Sequence, residues 1–170
     1  MAATIELYLV RHGLAAERGP KYPDDTLRPL TPEGVKKFAS SVPGLLELDV
    51  VVDFVLTSPL VRARDTATLL ASGLKPKPAI AEVAALAPGG RHQAILEAIK
   101  THAAKRHRRL ALVGHEPDLG ELAARLLGAR GIIQFKKGAV CAIDLDGATP
   151  GGPGTLRWHL TPRTLRALAR

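Results

Sequence analysis

At 170 residues the chain is long enough for one well-buried core and short for two, so a single domain over 1–170 is expected. It carries 24 Lys plus Arg against 16 Asp plus Glu, a net charge of +8 that favours anionic partners. The single cysteine, Cys141, excludes a disulfide framework and a CxxC zinc pair and fits a reducing cytoplasm.

The opening "MAATIELYLV" has no basic n-region and contains Glu6, and no run approaches the ~20 apolar residues of a membrane helix, so a soluble, unexported, cytoplasmic protein is expected. Within it "IELYLV" (5–10) reads as a strand that ends abruptly in Arg11, His12 and Gly13. The long irregular segment "LAAERGPKYPDDTLRPL" (14–30) follows directly and is placed to cover a site. A helix over about 32–47 begins with Thr31 as N-cap and Pro32 at N1.

A strand at 52–57, a helix at about 60–72 and a short strand at 79–83 come next, then a helix at about 91–106. The end of that helix, "HAAKRHRR" (102–109), gathers cations where the helix dipole favours them. Without interleaved aromatics it reads as a solvated face and not as a nucleic-acid site. A strand at 109–114 leads to a helix at about 117–128, with Pro117 at N1. Leu119, Leu122, Ala123, Leu126 and Leu127 form its apolar stripe, and Gly128 ends it. Finally "GAVCAIDL" and "TLRWHL" flank the turn-rich "DGATPGGPG" as two antiparallel strands added to a sheet edge. In the second, Leu156, Trp158 and Leu160 alternate inward, while His159 is expected to face solvent.

Strand–helix alternation of this kind implies an α/β three-layer sandwich, a mainly parallel central sheet with helices on both faces. In such a sheet the carboxyl ends of the strands share one edge, where open α/β folds bind ligands. Three chemically loaded stretches follow predicted strands: "RHG", "TSPLVRARDTA" and "GHEP". That edge would therefore collect Arg11, His12, Arg62 and His115, two fixed cations and two imidazoles suited to a phosphoryl group. Arg62 falls in the first turn of its helix, with Thr66 four residues on along the same face. A neutral imidazole nitrogen can attack phosphorus and carry the phosphoryl group covalently. Neighbouring guanidinium groups disfavour imidazolium and stabilise charge on the equatorial oxygens. This chemistry requires no metal and no cofactor.

"LVRHG", "SPLVRARDTA" and "VGHEP", in that order, resemble the histidine phosphatase superfamily (phosphoglycerate mutase-like). The short length, "RPLTPEG" and "LRWHLTP" look like its bacterial phosphohistidine phosphatases of the SixA type. The resemblance implies that His12 is the phosphorylated nucleophile and that Arg11, Arg62 and His115 hold the phosphate, with Ser58 and Arg28 at the pocket rim. Larger members place a catalytic acid in a segment matching "AEVAALAPGG", at the position of Ala85, so this sequence lacks a carboxyl there. Glu82 lies three residues earlier and Glu17, Asp24 and Asp25 lie in the long segment over 14–30, and none of them matches the family position.

The expected function is thus metal-independent hydrolysis of phosphohistidine in proteins. The alternatives are a small-molecule phosphomonoesterase on the same scaffold, or a non-catalytic module binding a phospho-ligand or nucleic acid. His12 argues against a pure binder, which could use Lys or Arg there, and the short chain and missing acid argue against a mutase. The partner is a phosphorylated protein or a small phosphorylated molecule, with no membrane and no nucleic acid.

Overall fold

Strand β1 (Thr4–Arg11) lies inside a six-stranded sheet of order β3-β2-β4-β1-β5-β6 in the computed structural model, which describes residues 3–147 and 153–170. Its partners are β2 (Phe54–Thr57), β3 (Ala79–Glu82), β4 (Arg109–Gly114), β5 (Val140–Asp146) and β6 (Thr155–Leu160). β1 pairs with β4, β4 with β2 and β2 with β3 in parallel, whereas β5 runs antiparallel to both β1 and β6.

Alternation along β1 divides the core. Ile5, Leu7 and Leu9 enter one apolar cluster with α3 (His92–Ala104) and α4 (Asp118–Leu127). Tyr8 and Val10 enter the other with α1 (Pro32–Glu47), α2 (Val61–Gly73) and α5 (Pro162–Leu168). Strand β4 divides in the same way, Leu110 and Leu112 against Ala111 and Val113. Both faces of the sheet are therefore buried, which is why its parallel strands read as nearly continuous apolar runs. Among the described residues no helix is long and apolar enough to cross a membrane.

Register decides where the polar motifs fall. Arg11 lies opposite Gly114 and Thr57 opposite Val113, so β1, β4 and β2 run out at the same level. Past those ends His12 N–H still donates to the Gly114 carbonyl (3.1 Å) and Ser58 N–H to that of Val113 (2.9 Å). The first residues beyond each strand are thereby fixed as firmly as the strands themselves.

Several elements depart from the expectation. Pro117 occupies the N-cap of α4, and the helix starts at Asp118, one residue later. Helix α5 lies in the tail beyond "TLRWHL", for which no element is expected, although Thr161 accepts from Thr164 N–H and Pro162 stands at N1, as Thr31 and Pro32 do for α1. A bulge between Ala142 and Ile143 sets Trp158 against Ala142 but Leu156 against Ile143. Leu156 is consequently 47% exposed, whereas Trp158 and Leu160 pack on the α1–α2–α5 cluster. His159 is half-buried, not solvent-facing, with its ring 4.6 Å from that of Phe135 and Nε2 2.9 Å from the Gln134 carbonyl oxygen. His102 and His107 pack on Phe54 at 4.5 and 5.1 Å, so part of the basic stretch is a helix end folded onto the sheet. The turn-rich loop between β5 and β6 lies, over 148–152, outside the described residues.

Helix α5 reaches its place through a close crossing on α1, where a Cβ at Gly44 would lie 2.0 Å from the Leu165 carbonyl oxygen. Gly44→Ala must push the two helices apart, at an overpacking cost of ~1–3 kcal/mol. Thermal unfolding should show a midpoint lowered by roughly 2–10 °C for a chain of this size. Ser40→Ala on the exposed face of α1 should leave it unchanged.

Candidate active site

A cavity of about 180 Å³ opens at the carboxyl edge of the sheet, and Arg11, His12, Arg28, Arg62 and His115 all border it. Arg18, Glu116 and Lys137 complete its charged lining. Arg11 and His12 end β1, Arg62 stands in the first turn of α2, and His115 and Glu116 follow β4. The structure thus brings the three sequence motifs together at one edge.

Each imidazole is buried and held by a specific bond. His12 is 7% exposed, and its Nδ1 lies 2.7 Å from the Gly13 carbonyl oxygen. A carbonyl only accepts, so Nδ1 carries the hydrogen and the Nε2 lone pair of the neutral ring stays available. His115 is 3% exposed, with Nε2 2.8 Å from Ser58 Oγ. Ser58 Oγ also accepts from Leu60 N–H at 3.2 Å, and with its own hydrogen turned to His115 Nε2 the proton of that ring sits on Nδ1. The rings stand 5.1 Å apart. Burial pushes the His12 pKa down to about 4; the Gly13 bond opposes the fall, and the charges of Arg62, Arg11 and Lys137 add to it. Burial, with His12 and Arg62 next, pushes His115 down to about 3.

Ser58 is fully buried behind His115 and does not stand at the rim. It buttresses the imidazole, a role that depends on tertiary pairing of β2 with β4. Arg28 does border the cavity, tied down by bonds to Asp25 (2.8 Å) and the Ala16 carbonyl (2.6 Å).

The long segment after His12 is folded into a strap by Ala15–Leu30 and Gly19–Tyr22 bridges and a 3-10 turn over Asp25–Leu27. It crosses the site through Asp25, whose carboxylate meets Arg62 (3.0 Å), Arg28 (2.8 Å) and Arg18 (3.1 Å). Arg62 also donates to the Asp25 backbone carbonyl at 2.9 Å. One face of α2 holds the whole arrangement: Arg62 takes Asp25, Asp65 accepts from Leu30 N–H (3.1 Å) and Thr66 accepts from Gly13 N–H (3.0 Å). Thr66 also donates back to the Arg62 carbonyl, so it is a fixture of the backbone.

After these bonds are made, Arg11 Nε, Arg62 Nε and His115 Nδ1 remain buried without a protein partner. Buried donors are rarely left unsatisfied, and three beside one cationic cavity describe a seat for an anion. Five cations, Arg11, Arg18, Arg28, Arg62 and Lys137, face two carboxylates, Asp25 and Glu116. Among the described residues no group of three or more His, Cys, Asp or Glu could hold a metal ion.

Of the carboxylates considered from sequence, Glu82 pairs with Arg64 at the surface, Asp24 caps Thr26, Glu17 is exposed and off the cavity, and Asp25 is bound to three arginines; burial raises it, but Arg28 and Arg62 outweigh that and hold it below the usual carboxylate range. Ala85 sits in a 3-10 turn against the α3–α4 cluster. Glu116, overlooked in the sequence despite its place beside His115, does line the cavity. Burial holds it above the usual range against the pull of Arg11 and the Gly120 and Phe135 amides, and its Oε1 has no partner.

Residues 7–134 match the model of the histidine phosphatase superfamily (branch 1). The chain is 39% identical over 146 residues to an uncharacterized protein of Picosynechococcus sp. strain PCC 7002, covering 79% of this chain and 87% of that one. It is 27% identical over 163 residues to the phosphohistidine phosphatase SixA of Escherichia coli K12, covering 95% and 97%. The structure of the protein histidine phosphatase SixA complexed with tungstate superposes with a TM-score of 0.83 at 25% identity, over 95% of this chain and 99% of that one.

The two depressed imidazoles make stability depend on pH. An unfolded chain binds a proton at each near pH ~6.5, while the folded chain does not until about 4 and about 3. The unfolded state therefore gains protons first as pH falls, and stability drops through that window while being insensitive to these groups above it. Side-chain NMR should show His12 and His115 neutral from about pH 8 down to about pH 5.5, with the denaturant midpoint falling between about pH 7 and about pH 5. Titration of either ring near its ordinary value would contradict the burial and charge argument.

Proposed function

The chain belongs to the histidine phosphatase superfamily, and from that premise we propose that it hydrolyses phosphohistidine in proteins, with His12 as the nucleophile. The observation that carries this reading is the gathering of Arg11, Arg62 and His115, each with a nitrogen that has no protein partner, around the cavity that holds a neutral His12. They suit the equatorial oxygens of a phosphoryl group, on which charge develops in transfer.

In the first step His12 Nε2 forms a bond to phosphorus as the bond to the leaving nitrogen breaks, and the leaving imidazole departs neutral if its other nitrogen already carries a proton. Water then attacks phospho-His12, releasing phosphate and regenerating the imidazole. Throughout, the Gly13 carbonyl receives the Nδ1 hydrogen and steadies the positive charge that the ring gains. Burial beside two guanidinium groups keeps the ring neutral and reactive before substrate arrives.

The phosphohistidine assignment is supported by likeness to the SixA phosphatases along nearly the whole chain and by Ala at position 85. An alkoxide leaving from a sugar phosphate is strongly basic and needs a proton, a service worth ~10²–10⁴-fold. An imidazole or a nitrophenolate does not.

A substrate panel tests the assignment. Phosphohistidine peptides and an aryl phosphate should be hydrolysed, and alkyl phosphates should show kcat/KM lower by about 10²-fold or more. Comparable kcat/KM for a sugar phosphate would favour a small-molecule phosphomonoesterase and assign proton donation to Glu116.

A further inference from the structure

A second cavity, of about 300 Å³, opens at the same sheet edge between α1, the chain entering β5 and the start of α5. Lys37, Lys136, Lys137, Arg163 and Arg166 border it, and no carboxylate does. Phe38, itself buried, gives it an apolar wall. Lys37 pairs with Glu33, but among the described residues the other four make no ion pair. Other surface cations among the described residues are unpaired too, Arg91, Arg106 and Arg125 among them, but these four are gathered around one concavity. Like charges gathered around a concavity without counter-ions repel one another, and an anionic ligand removes that cost.

The cavity adjoins the phosphate site. Gly13, which follows His12, is part of its wall, and Lys137 borders both cavities. Resting on the phosphohistidine reading, we propose that this cavity receives an acidic side chain that the protein substrate carries beside its phosphohistidine. Because Lys137 borders both cavities, and an extended peptide advances ~3.3 Å per residue, the acidic group placed to enter the second cavity is an Asp or Glu close in sequence to the phosphohistidine. A nucleic acid is disfavoured, because Phe38, the one aromatic residue lining the cavity, is buried and offers no exposed ring for base stacking. Charge pairs at the rim of a binding site act mainly on encounter rate and selectivity, so the cavity would set which phosphohistidine is used.

The test uses two histidine peptides, one flanked by Asp and Glu, the other by Asn and Gln, with the unmodified chain and the Arg163→Glu/Arg166→Glu variant. After chemical phosphorylation the acidic peptide should show kcat/KM about 10-fold higher than the neutral one at low salt, an advantage that shrinks at about 0.5 M salt and vanishes in the variant. Aryl phosphate turnover, which needs no docking, should match between the two proteins and reports that the variant is folded and its site intact. Binding is read separately by titrating the unphosphorylated acidic peptide while following the Gly138 and Thr161 amides by NMR; these should shift only in the unmodified chain. Equal kcat/KM for the two peptides at low salt, or no amide shift, would overturn the proposal. Shifts produced by inorganic pyrophosphate but not by the peptide would overturn it in favour of a small-anion site. Amide shifts with no hydrolysis of either phosphopeptide would sink the phosphohistidine reading, and the substrate named here with it, while showing that the cavity takes acidic side chains.

Discussion

A guanidinium with 3% exposure, as at Arg62, has given up its hydration, and only an anion can offset that loss. Two of its nitrogens are satisfied by Asp25, through the carboxylate and the backbone carbonyl, while Nε is left over. The rest of the site follows from this division. The bonded edge draws the strap across the sheet and fixes it, and the unbonded nitrogen remains for a ligand. Arg11 repeats the pattern, with Nη1 on the Phe135 carbonyl at 2.7 Å and Nε without a partner. Structure-forming and ligand-forming demands are thus shared out between the nitrogens of single side chains, which the forked geometry of arginine permits and a lysine ammonium would not.

Burial holds the two imidazoles neutral, and the same cations assist it. Cationic residues that attract a phosphoryl group would lose their purpose if the neighbouring histidine were itself a cation, since an imidazolium has no lone pair to offer. Burial is the largest cause of the depression at His12 and His115, and the guanidinium charges add to it, after His12 itself in the case of His115. On the proposed reading, binding and nucleophilicity therefore arise from one electrostatic arrangement. Helix α2 makes that arrangement rigid, because Arg62, Asp65 and Thr66, spaced i, i+3 and i+4 on one face, grip the strap, its exit and the Gly13 amide together.

The sheet and the convergence of Arg11, His12, Arg62 and His115 are legible in the sequence for one reason. Parallel strands align their carboxyl ends, so motifs that each follow a strand must meet. What the sequence hides is tertiary. Ser58 looks like a rim residue until β2 pairs with β4 and sets it behind His115. Asp25 looks like any loop acid until three arginines surround it. Leu156 escapes simple alternation because a one-residue bulge, with no Gly to announce it, reverses the face of the strand. Helix α5 is a different case, for Thr161–Pro162 carries the same start signal as Thr31–Pro32 and is legible by the same rule. Glu116, adjacent to His115 in "GHEP", can be flagged by that adjacency alone.

Every role assigned to the cations turns on His12 forming a covalent bond to phosphorus. Mixing the protein with an activated aryl phosphate, quenching without acid and mapping the phosphorylated peptide by mass spectrometry tests this directly. One phosphoryl group on His12, absent from a His12→Ala variant, is the predicted result. A phosphoryl group on His115 with none on His12 would contradict the account, because the imidazole buttressed by Ser58 would then be the nucleophile and His12 a binding group.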